Sequence, residues 1–102
     1  MILHLPPVGP AVLLQPEDLG RLSCEIGLPR ASAIEAQARL RHVARLEDGH
    51  AWIRIGWLRD AAANAYGAEW AKRFDAMIDR ARPHGWASDD GLSVKAHVVW
   101  QG

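Results

Sequence analysis

Five histidines are the residues of this chain best suited to proton transfer or metal binding, and they stand at positions 4, 42, 50, 84 and 97. No two are spaced as H-x-H or H-x-x-x-H, and no C-x-x-C accompanies them. There is therefore no local metal-ligand motif, and neither a metal nor a cofactor is expected. His50 and His97 lie in two segments of alternating polarity, on the polar side of each. With Asp60 and Tyr66 they are the candidates for acid/base chemistry, because an imidazole exchanges protons readily and a carboxylate or phenol can orient it. The same polar sides carry Trp52, Arg54 and Lys95. Those three and His97 form a candidate binding set, since Trp and Arg concentrate at the anchoring positions of interfaces.

Other reactive residue types give less. Cys24 is the single cysteine and is followed by Glu25, whose charge disfavours the thiolate, so it reads as a buried, inert thiol. No glycine-rich phosphate loop or hydrolase elbow occurs. Residues 17–46 resemble a helix-turn-helix, with Ile26, Gly27 and Leu28 at the bend and Arg39, Arg41, His42 and Arg45 making the second helix basic. Of the five tryptophans, Trp57, Trp70 and Trp100 fall on apolar stripes and read as core, Trp52 shares a polar face, and Trp86 follows a helix stop.

The elements that must position these residues follow from periodicity. Ile2–Leu5 and Ala11–Leu14 read as short strands, which Pro6, Pro7 and Pro10 confine to a sheet edge. A first helix is expected from Pro16 to about Ile26, stopped by Gly27 and Pro29. A second opens with Ser32 and Glu35 as a capping box and runs to about Glu47, with Gly49 as its left-handed cap. Residues 50–58 alternate as a strand. A third helix spans about Asp60 to Ala81, with Tyr66, Trp70, Phe74, Met77 and Ile78 on its apolar stripe and Asn64 on its polar side. Residues 92–100 alternate as the terminal strand, with Leu92, Val94, Ala96, Val98 and Trp100 inward and Ser93, Lys95, His97 and Val99 outward. The long helix between the last two strands allows a parallel crossover. Polar alternation on both strands argues that one sheet face is uncovered. The expected architecture is one α+β domain over residues 1–102: a small two- to four-stranded sheet with three helices packed mainly on one face.

Composition limits the functions. Twelve basic residues balance twelve acidic ones over 102 residues, so no global field draws in nucleic acid, and a nucleic-acid partner is not expected. The apolar N-terminus is broken by His4, Pro6, Pro7, Gly9 and Pro10 and has no basic flank, so neither a signal peptide nor a membrane span is indicated. One cysteine and no export signal point to the cytoplasm. Preference for Arg over Lys and abundant Ala point to a GC-rich bacterial genome. The functional expectation is a small non-catalytic binding or accessory protein that acts through its open sheet face on a protein partner or on a second copy of itself, with a small molecule as another ligand. One alternative is a cofactor-independent lyase, isomerase or cyclase with a pocket between the sheet and helix 60–81. The other is a helix-turn-helix regulator through residues 17–46.

Overall fold

A computed structural model describes residues 1–63 and 66–101. The α+β class holds, but the sheet has six strands instead of two to four. They are β1 (Ile2–Leu5), β2 (Val12–Leu14), β3 (Ser23–Ile26), β4 (Ala44–Glu47), β5 (His50–Arg54) and β6 (Ser93–Trp100), in the order β2-β1-β3-β6-β5-β4. Three α-helices accompany them: α1 (Ala33–Arg39), α2 (Ile55–Ala63) and α3 (Ala68–Ala81). β1, β3 and β6 run parallel, while β2, β5 and β4 are antiparallel to their neighbours.

Several expected helical turns are strands. The expected first helix does not form: residues 16–22 make turns, and Ser23–Ile26 enter the sheet between β1 and β6 with Cys24 and Ile26 fully buried. Period-two burial of those two residues outweighs the helical spacing of Leu19, Leu22 and Ile26. The expected second helix ends at Arg39, and its last residues form β4. The decisive signal is Asp48-Gly49, which take φ of 49° and 78° and close a two-residue hairpin between β4 and β5. Gly49 is thus left-handed, as a hairpin residue instead of a helix cap. Ser32 makes no side-chain capping bond, because a 3-10 turn over Arg30–Ser32 precedes the helix. With its first helix absent, the helix-turn-helix over 17–46 is not formed. β1 is not at the edge either: Pro6 and Pro7 follow the strand, leaving it free to pair on both sides.

The expected strand 50–58 and helix 60–81 also divide differently. Ile55, Leu58 and Ala62 are buried at helical spacing, so the chain turns from strand to helix at Ile55. Gly67, extended at φ −82° and ψ −152°, then separates α2 from α3. Asn64 lies outside the described residues. Two helices instead of one separate β5 from β6 in the chain, and this pair is antiparallel instead of parallel, with Arg54 opposite Ser93. The terminal strand is found at Ser93–Trp100 with Val94, Ala96 and Val98 buried, but Leu92, expected inward, precedes it and is exposed.

All buried strand positions share one face. Leu3, Leu5, Cys24, Ile26, Ala51, Ile53, Val94, Ala96 and Val98 join Ala36 of α1 and Leu40 at its C-cap, Leu58 and Ala62 of α2, and Trp70, Phe74, Ile78 and Ala81 of α3 in one core. The opposite face, with Ile2, His4, Ser23, Glu25, His50, Trp52, Arg54, Lys95, His97 and Val99, has no buried residue. Residues 1–14 extend the sheet on the side remote from β5, so they do not cover Trp52. The outer edge of β4 is closed by one side chain: Gln37 donates to the Ala44 carbonyl (3.0 Å) and accepts from the Leu46 amide (2.7 Å). No helix among the described residues is long and apolar enough to cross a membrane.

Candidate functional site

The β5–β6 ladder sets the geometry of the open face. Val98 donates to the Gly49 carbonyl and Ile55 to the Leu92 carbonyl, so His50/His97, Trp52/Lys95 and Arg54/Ser93 fall on the pairs without mutual backbone bonds, where side chains approach closest. The imidazoles of His50 and His97 meet edge to face, their centres 5.9 Å apart at 76°. His50 Nδ1 is 3.1 Å from the Asp48 carbonyl oxygen, which can only accept. The Lys95 ammonium sits 5.8 Å from the centre of the Trp52 ring.

Beside His97 the sheet has a notch. β3 begins at Ser23, opposite His97, and leaves the start of β6 without that neighbour. The chain after α3 occupies the vacated flank: Lys95 donates to the Trp86 carbonyl (2.7 Å), Ser88 to the Ser93 carbonyl (2.9 Å), and Ala87 bridges Val94. Gly85, left-handed at φ 73°, turns the chain there. Asp90 holds the return turn by accepting from the Ser88 hydroxyl (2.6 Å) and the Leu92 amide (2.9 Å), bonds that keep its carboxyl below the usual range. The facing wall, residues 19–22, is fixed from several sides. The Met1 ammonium donates to the Asp18 and Arg21 carbonyls (2.7 and 2.8 Å), and the Trp70 indole donates to the Pro16 carbonyl (2.7 Å).

Between these walls lies a cleft of about 580 Å³. Arg21 and Leu22 line one side, and Met77, Arg80 and Ala81 of α3 with His84 and Trp86 line the other. Val94, Lys95 and His97 of β6 and His50 of β5 complete the lining. Three permanent cations and three histidines contribute to this lining and no carboxylate does. The ion pairs of the described residues lie elsewhere, joining Arg45 to Glu47, Arg59 to Asp75 and Arg82 to Asp79, so Arg21, Arg80 and Lys95 have no carboxylate within 4.0 Å among the described residues.

Of the residues picked out from the sequence, the fold gathers His50, Lys95 and His97 at the cleft and sets Trp52 against Lys95. Arg54 is exposed on the same face but does not line the cleft. Asp60 is exposed on α2, and Tyr66 donates to Glu17 (3.1 Å), a bond that raises its pKa, so neither joins the histidines. The four-residue acid/base set therefore does not assemble. Arg21, Arg80, His84 and Trp86 were missed as site residues, because they come from a loop, a helix end and a turn brought together only by the notch. The exposed Trp86 directly after a Pro-His-Gly helix stop was the available signal. No group of three or more metal-ligating side chains occurs among the described residues. No protein family, characterised protein or solved structure matches this chain.

Proposed function

We propose that the protein is a small binding protein whose ligand is a multiply charged anion, held in the cleft at the notch of the sheet, beside the end of α3, by Arg21, Arg80 and Lys95. The carrying observation is that three cations without carboxylate partners line one cleft of a chain whose net charge is zero. Gathering like charges is unfavourable, and an anion that enters relieves that cost while gaining charge-assisted hydrogen bonds. Trp52, expected as part of the binding set on the open face, is half-buried and lies against Lys95, and it is assigned to positioning that ammonium.

The test is a titration with inorganic pyrophosphate followed by amide chemical shifts. Saturable shifts concentrated in residues 19–22, 80–86 and 94–97 support the proposal. Absent or scattered shifts contradict it. The adjacency of His50 and His97 favours a second reading, in which the imidazole pair moves a proton on the bound anion in a lyase, isomerase or cyclase reaction. In that case His97→Gln abolishes turnover and leaves binding intact.

A further inference from the structure

The cleft pairs its cations with an aromatic platform. Trp86 is 52% exposed, and His84 stacks against its ring at 4.6 Å and 25°. Both rings line the cleft. The Trp86 backbone is fixed at both polar groups, the amide to the Ala81 carbonyl (3.1 Å) and the carbonyl to the Lys95 amide (2.7 Å). The platform is thus pre-ordered, and stacking on it costs little conformational entropy. Through that last bond, the backbone that presents the ring is paired directly to the backbone that presents the Lys95 ammonium. Leu22 and Met77 add apolar wall beside them. The cleft, at about 580 Å³, lies within the 300–1,000 Å³ typical of organic-ligand sites and is larger than an inorganic anion requires.

We infer that the anion is a nucleoside phosphate, its base stacked on Trp86 and its phosphates on Arg21, Arg80 and Lys95. This rests on the anion-binding proposal and adds the aromatic half of the ligand. A planar base supplies the ring that Trp86 can cover, and two or more phosphates match three cations better than a single carboxylate does.

The experiment compares ADP, pyrophosphate, adenosine and an eight-nucleotide adenine strand by calorimetry in magnesium-free buffer, on the wild type and on Trp86→Leu. ADP is expected to bind roughly ten-fold or more tighter than pyrophosphate, within the range of one base–aromatic stack. Adenosine alone is expected to bind weakest. In Trp86→Leu the advantage of ADP over pyrophosphate disappears. ADP binding no tighter than pyrophosphate, or an advantage that survives Trp86→Leu, overturns the inference and leaves the anion site standing. Failure of pyrophosphate and ADP alike removes both. Tighter binding of the strand than of ADP overturns the free nucleotide in favour of a single-stranded nucleic acid.

Discussion

Lys95 and Trp52 face each other across β6 and β5, ammonium over indole at 5.8 Å. A ring set beside an ammonium in this way attracts it through the negative charge of its face, worth about 0.5–1 kcal/mol at an accessible site. Trp52→Ala is therefore expected to weaken pyrophosphate binding about two- to five-fold, the equivalent of that energy. Trp52→Phe should retain part of the affinity. Calorimetry on the two variants checks this, and unchanged binding in Trp52→Ala would remove the positioning role.

Phe74 is the packing centre of α3. It is fully buried, stacks on Trp70 at 4.9 Å and 15°, and carries the Arg59 guanidinium 5.0 Å above its ring. Phe74→Ala should cost about 3–5 kcal/mol in chemical denaturation, a large share of the total for a domain of this size. Because α3 also supplies Met77, Arg80 and Ala81 to the cleft, pyrophosphate affinity should fall with it.

Cys24 lies in the middle of the sheet, and burial, with the charge of Glu25 second, pushes its thiol up to about 12. A native-state thiol reagent at pH 8 should find it unreactive until denaturant is added. The folded thiol keeps its proton where the unfolded one loses it, so stability is intact below about pH 9 and falls above it by about 1.4 kcal/mol per pH unit. Denaturation curves at pH 8 and pH 10 for wild type and Cys24→Ala isolate this contribution, which should be absent from the variant.

What the sequence made legible was the polarity of individual strands. Alternation in residues 92–100 placed Lys95 and His97 outward and Val94, Ala96 and Val98 inward, as found, and failed only at the start, where Leu92 is exposed before the strand begins. It placed Trp52 and His50 outward for the same reason. Short segments were harder, because Leu22 to Ile26 and Val43 to Glu47 fit either period. The choice there is made by pairing with strands distant in the chain, β1 and β6 for β3 and β5 for β4. Asp48-Gly49 carried the hairpin signal that would have separated β4 from α1. The cleft was illegible for a further reason: its cations come from Arg21, Arg80 and Lys95, which no spacing rule connects. They meet only because β3 starts four residues later along the sheet than β6, leaving the notch filled on one side by Trp86.

The most direct test of the anion cleft is the pyrophosphate affinity of the Arg80→Gln, Lys95→Gln double variant measured by calorimetry. Both residues are near the surface and outside the buried core, so the melting temperature should hold close to that of the wild type. Loss of two charge-assisted contacts, each worth roughly 1.5–3 kcal/mol, predicts a fall in affinity of about a hundred-fold or more. A folded double variant that binds pyrophosphate as the wild type does would contradict the account.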